Sequence, residues 1–335
     1  MEWITMVNSE ICQTFTFSRF SNDKNKGVIM TIVLGINTGF AINRFVEPDD
    51  WTQIVAEELG LHIVQFTADL LNPWYKEKIV QQQAEEIRNS CERFNIKVQT
   101  TFTSQFTRVN HLFHPNDEIR KVWIGWFKKF FKLSVFLGAE GSGSHFGIMT
   151  VRDYENHEIR NKRIQQGVEG WKELSEYGAE IGLKYLLWEP MSVPREIGET
   201  IQSAQKIQDL CKQDFPIPMK LCLDVDHGDI SSCNPENTNP HTWIKHFKND
   251  IQVIHLKQSL QDKGGHYPFT KEYNLRGKIV PQEILNSVKE ADIKSCSLVL
   301  EISHRERYPF ENRVLADLKE SVEYWRPYFT NGYLE

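Results

Sequence analysis

The sequence predicts an α/β fold: a (β/α)8 TIM barrel, folded as a single domain. Three observations predict it. From residue 30 onward, short apolar runs rich in β-formers alternate with longer runs of helical period. Eight such strand–helix pairs follow one another with no Pro/Gly/Ser-rich linker between them. The turn after the first strand, Gly35-Ile36-Asn37-Thr38-Gly39-Phe40, lacks the glycine spacing by which an open doubly wound sheet holds a nucleotide.

The first strand is read over 32–36, and Pro48-Asp49-Asp50 supplies the proline and acidic start of a helix over 49–59. The second unit pairs 63–66 with a helix over 76–94, and the third pairs 98–102 with 118–137. In that third helix Val122, Trp123, Trp126, Phe127, Phe130 and Phe131 recur at helical spacing among Lys128, Lys129 and Lys132. The spacing reads as an aromatic face packed on the barrel with lysines in water, not as a nucleic-acid or membrane surface. A weak strand pattern over 141–147 precedes a helix over 157–181. The remaining units are 185–189 with 195–213, 219–224 with 241–247, 253–256 with 281–290, headed by Pro281, and 298–302 with 310–325.

Residues 1–29 carry Cys12, Arg19 and a polar run over 18–26, without the basic start, apolar stretch and cleavage site of a signal peptide. They are read as an N-terminal extension to a barrel of residues 30–335. No apolar run is long enough to span a bilayer. The 335-residue chain is 40% hydrophobic and 25% charged, with a net charge of −6. That charge argues against nucleic acid and anionic membrane and points to a small-molecule partner. Cys12, Cys91, Cys211, Cys222, Cys233 and Cys296 are scattered with no CxxC pair, which suits reduced thiols in the cytoplasm.

Barrel active sites gather at the carboxyl ends of strands. The last four strands end in chemistry: Tyr185-Leu186-Leu187-Trp188-Glu189, then Leu221-Cys222-Leu223-Asp224 with His227 three residues on, then His255, then Glu301. Three carboxylates cannot share a small volume while ionised unless a cation neutralises them. Oxygen donors with one imidazole suit Mn²⁺, Mg²⁺ or Co²⁺ better than a structural zinc, which favours thiolates.

With this constellation and the Asp-x-x-His at Asp224 to His227, the chain over about 31–327 resembles the xylose isomerase-like barrels, in particular the sugar and sugar-phosphate 3-epimerases. The resemblance implies a divalent metal held by Glu189, Asp224, His255 and Glu301. It implies that His227 touches a substrate oxygen and that Glu196, in Val193-Pro194-Arg195-Glu196, contacts a hydroxyl or supports the ligands. A homo-oligomer is implied by analogy alone. On such a metal a ketose carbonyl is polarised and the adjacent C–H acidified, giving a cis-enediolate. Glu189 and Glu301 are then the catalytic pair. Proton return from the far face inverts the carbon, whereas return to the neighbouring carbon isomerises the sugar.

Two donor-rich runs bear on the substrate, Lys257-Gln258-Ser259 leading to Gly264-Gly265-His266-Tyr267-Pro268-Phe269-Thr270, and Ser303-His304-Arg305-Glu306-Arg307-Tyr308-Pro309-Phe310. Loops after strands seven and eight often hold phosphate in barrels, and Lys257, His266, Arg195, Arg305 and Arg307 offer charge-assisted bonds to it. Together with Trp188-Glu189-Pro190-Met191-Ser192 and Tyr308-Pro309-Phe310-Glu311, these runs look like the branch that includes the erythrulose-phosphate 3-epimerases. Gln258 departs from that pattern, standing where an acidic residue often follows the strand-seven histidine.

Three competing readings are kept. A metal-dependent decarboxylase of a 3-oxo sugar acid, or a dehydratase, would use the same ligands with a cationic grip on a carboxylate. A DNA-repair endonuclease of this fold would need additional ligands and a basic surface, which the net charge and the lone His255 oppose. A non-catalytic sugar-binding barrel has no evident reason to keep so costly a concentration of buried charge.

Overall fold

A computed structural model describes residues 31–260, 263–330 and 332–334. The extension expected over 1–29 lies outside the described residues. The barrel strands are β1 (Thr31–Asn37), β2 (Ile63–Thr67), β3 (Lys97–Phe102), β4 (Gly141–His145), β5 (Tyr185–Glu189), β6 (Met219–Asp224) and β7 (Ile251–Leu256). A hairpin, β8 (Gln258–Leu260) and β9 (Lys263–Tyr267), precedes the last barrel strand, β10 (Ser295–Leu300). Neighbours pair in parallel in this order, and β10 pairs back onto β1 to close the barrel. All eight expected strands are therefore present. A short hairpin, β11 (Phe329–Thr330) and β12 (Tyr333–Leu334), which the sequence pattern did not reveal, pairs antiparallel on β1.

Strand alternation divides the interior in two. Inside the barrel lie Phe102, Tyr185, Leu187, Cys222, Val253 and Val299, a compact apolar plug. The opposite faces of the strands, with Leu186, Trp188, Leu221, Leu223, Ile254 and Leu298 among them, join the helices in a larger core. The plug fixes the site above it, because Glu189, Asp224, His255 and Glu301 each stand two residues beyond one of its members.

The helices are α1 (Pro48–Gln53, continued by a π turn, Ile54–Glu58), α2 (Glu77–Arg93), α3 (Asp117–Phe136), α4 (Val151–Glu155), α5 (His157–Ile181), α6 (Ile201–Cys211), α7 (Pro240–His246), α8 (Lys271–Asn274), α9 (Pro281–Glu290) and α10 (Val314–Trp325). Asparagine caps start two of the long ones: Asn116 accepts from Glu118 N and Ile119 N, and Asn156 from Ile159 N.

The helix expected over 195–213 is shorter. Ile197 and Gly198 take positive φ of 62° and 90°, which breaks the run, and Thr200 caps a new start by accepting from Ser203 N. The last helix likewise begins at Val314, after a 3-10 turn over Phe310–Arg313. On α3, Trp126, Phe127, Phe130 and Phe131 are buried as expected, whereas Val122 is 53% exposed and lies off that face.

Candidate metal centre and active site

One ligand atom from each of Glu189, Asp224, His255 and Glu301 falls within 4.8 Å of all the others. Strand register accounts for the convergence, since Asp224 pairs with His255 across β6–β7, and His255 with Val299, two residues before Glu301, across β7–β10. Glu189, Asp224 and His255 are buried and Glu301 is partly exposed toward the cavity. His255 Nδ1 lies 3.1 Å from Glu189 Oε1 and 3.4 Å from Glu301 Oε2.

Lys257, two residues past His255, is buried and sets its ammonium 2.6 Å from Asp224 Oδ2. It also donates to His266 Nε2 at 2.9 Å, so His266 Nδ1–H is the group facing Glu301 Oε2 at 3.2 Å. His266 is carried by the β8–β9 hairpin, which Asp226 ties down by accepting from Gly265 N and Lys278 Nζ. The second histidine of Asp-x-x-His is oriented too. His227 Nδ1–H donates to the Pro190 carbonyl at 3.0 Å, leaving Nε2 as its acceptor.

Charge follows from this packing. Burial alone would raise Glu301, but His255, His266 and Lys257 hold its carboxyl well below the ordinary range. Asp224 behaves alike, with burial outweighed by His227 and Lys257. Burial also disfavours the Lys257 ammonium, yet Asp224 and Glu301 push its pKa up, so it is a fixed cation.

The donor set fits a divalent cation on two grounds. Asp224 Oδ2 and Glu301 Oε2 are buried oxygens with ion-pair neighbours but no aligned hydrogen bond. Three carboxylates and one imidazole are also the ligand chemistry of a hard or borderline ion, not of a thiolate zinc site.

A cavity of about 180 Å³ opens over this cluster, lined by Glu189, His227, His266 and Glu301 at the metal end. Its walls include Asn37, Arg44, Arg108, His145 and Ser303. The structure thus brings together six of the expected site residues, with Lys257 just beneath the cavity. Glu196 is buried and does not line it, reaching it through Arg108, which grips both its carboxylate oxygens at 2.6 to 3.1 Å. Arg305 and Arg307 are exposed and absent from the cavity wall. Arg195 is turned to the Met149 carbonyl.

The guanidiniums on the wall belong to Arg108 and to Arg44, the latter held bidentate by Glu311 at 2.8 to 3.0 Å. Neither was drawn from the sequence, because both lie in loops with no periodic or motif signal. His145 was missed as a site residue, although the strand that carries it was expected. It closes β4 beside Glu189, donates from Nε2 to the Val109 carbonyl, and burial pushes its pKa down to about 4.

Among known proteins, the family described as "Xylose isomerase-like TIM barrel" matches residues 54–328. The chain is 36% identical over 304 residues to the D-erythrulose 1-phosphate 3-epimerase of Brucella abortus (strain 2308), an alignment covering 90% of this chain and 98% of that protein. A putative xylose isomerase from Rhodospirillum rubrum superposes with a TM-score of 0.82 at 23% identity, covering 88% of this chain and 99% of that one. The D-psicose 3-epimerase of Clostridium cellulolyticum H10 gives 0.64 at 16%, covering 88% and 98%. At such identities these two structures speak to the fold alone.

Proposed function

Because the chain belongs to the xylose isomerase-like TIM-barrel family, we propose on that premise that it is a divalent-metal-dependent ketose-phosphate 3-epimerase acting on D-erythrulose 1-phosphate. The observation that carries this reading is the four-donor cluster of Glu189, Asp224, His255 and Glu301 in a chain 36% identical to an epimerase of that substrate.

When bound, a divalent cation polarises the ketone and offsets the negative charge of the enediolate. The chain's own residues carry the proton. One of Glu189 and Glu301 accepts the C3 proton while the C–H electron pair forms the C2–C3 double bond of the enediolate. The other, in its acid form, gives a proton to C3 from the opposite side as the C2 carbonyl re-forms. C3 is inverted and no atom is lost. His227, oriented by the Pro190 carbonyl and with Lys257 Nζ 3.5 Å from its Nε2, stands on the cavity wall where it can meet a substrate hydroxyl.

For the phosphate, Arg44 and Arg108 are the guanidiniums of the cavity wall, each held in a fixed orientation by a carboxylate. They replace Arg305 and Arg307 in this role.

D-Erythrulose 1-phosphate has a single stereocentre, so its 3-epimer is its mirror image and the equilibrium mixture is optically inactive. Mn²⁺-loaded protein is expected to abolish the circular dichroism of the ketone band, with EDTA stopping the decay and unphosphorylated erythrulose reacting more slowly. A stable signal with the phosphorylated substrate would contradict the reading.

A further inference from the structure

We propose that Gln65 and Asn37 are positioning residues that fix the tautomer of His255, so that its Nδ1 lone pair is presented to the cation. The inference rests on the metal-centre reading above and adds two residues to it.

A backbone N–H can only donate, and this decides the orientation of each group in turn. Gly39 N–H donates to Asn37 Oδ1 at 2.7 Å, so the other end of that amide, Nδ2, is the one that faces Gln65. Asn37 Nδ2 donates at 2.9 Å, so the Gln65 atom that receives it is the carbonyl oxygen Oε1. The same Oε1 lies 2.7 Å from His255 Nε2, which must therefore carry a hydrogen. With Nε2 holding its hydrogen on Gln65, the hydrogen by which Nδ1 meets Glu189 at 3.1 Å and faces Glu301 at 3.4 Å is the one a cation would displace, leaving the Nδ1 lone pair to bind it.

The remaining contacts support this assignment. Gln65 Nε2 donates to Thr100 Oγ1 at 3.3 Å, which uses the other end of the amide. Cys222 Sγ, 3.2 Å from His255 Nε2, is a far weaker acceptor than an amide oxygen. Phe102 packs its ring at 86° to the imidazole with centroids 5.7 Å apart, restricting rotation of the imidazole. Gln65 and His255 are fully buried and Asn37 is 6% exposed at the cavity wall, so water has little access to these groups. An outer partner that orients a ligating histidine is worth about 10–100-fold in metal affinity.

Three variants test the inference by Mn²⁺ titration of the metal-free protein, with its melting temperature as the check on folding. Gln65→Leu removes the acceptor and is expected to weaken Mn²⁺ binding by about 10–100-fold. Gln65→Glu keeps an oxygen toward both Asn37 and His255 and is expected to bind within a few-fold of the unaltered protein.

Asn37→Asp is nearly isosteric and touches no ligand. It turns the donor facing Gln65 into an acceptor, so the Gln65 amide reverses, offers N–H to His255 Nε2, and moves the imidazole hydrogen to Nδ1. Binding should fall as far as in Gln65→Leu while the metal-free melting temperature stays within a few degrees.

Unchanged affinity in both Gln65→Leu and Asn37→Asp, or an equal loss in Gln65→Glu and Gln65→Leu, would overturn the inference and leave the metal-centre reading intact. Unaltered protein that takes up no Mn²⁺ would overturn both.

Discussion

Burial decides what individual side chains do around this centre. Lys257 is shut off from water and faces Asp224, so with a divalent cation bound the lysine and the metal would together offset the carboxylates of Glu189, Asp224 and Glu301, whichever of the two glutamates holds the proton. A balanced centre can accept a further negative charge on a reacting ketose at smaller cost than a site carrying net negative charge.

Burial acts oppositely on His145 and His111, whose pKa values it lowers, to about 4 for His145. Both are neutral in the folded protein but take up protons in the unfolded chain below about 6.5. Stability should therefore be full above that pH and decline as pH falls toward 4, by about 3 kcal/mol for His145 alone. Urea unfolding between these limits should show a shallower slope in His145→Gln; an unchanged slope would contradict the assignment.

At this scale the four donors were legible because each lies within one residue of a strand's carboxyl end, a position that a barrel gives to chemistry. Gln65 was not, because a glutamine within a strand carries no signal until its neighbour across the barrel is known. Lys257 was read as a phosphate contact, yet its side chain turns inward to Asp224, a direction no loop composition reveals.

Among the elements, β4 shows why a true strand can look weak. Its sequence, Gly141-Ser142-Gly143-Ser144-His145, offers little hydrophobic alternation, because the bulk that fills its part of the barrel comes from β5. A Cβ on Gly141 would stand 2.0 Å from the Tyr185 ring, and one on Gly143 would stand 2.0 Å from the Leu187 carbonyl oxygen. The second obstacle is backbone and cannot swing aside. Gly143→Ala should cost about 3 kcal/mol or more in denaturant unfolding. It should also reduce activity, because β4 and β5 carry His145 and Glu189 side by side. Wild-type stability in this variant would contradict the packing described here. The shortened sixth helix teaches a related lesson, since the positive φ at Ile197 is set by how the loop after β5 folds back and not by any glycine or proline at that residue.

Over the whole molecule, the fold was legible because eight alternations of strand and helix admit few closed arrangements, and the closure of β10 on β1 is the one found. The closed barrel brings residues separated by more than 100 positions, Glu189 and Glu301, to the same cavity. What the chain order concealed was the lining of the cavity's far wall, where Arg44 and Arg108 come from the loops after β1 and β3. No helix among the described residues is long and apolar enough to cross a membrane.

The proposed function turns on a proton that Glu189 and Glu301 exchange at the carbon beside a ketone. Its most direct test is the proton NMR signal at C3 of D-erythrulose 1-phosphate, followed in D₂O with Mn²⁺-loaded protein. The C3–H signal is expected to disappear as solvent deuterium enters, in step with loss of optical activity. Glu189→Gln and Glu301→Gln should each slow this by about 10²–10⁴-fold. Racemisation with the C3 proton retained, or deuterium uptake undiminished in both variants, would contradict it.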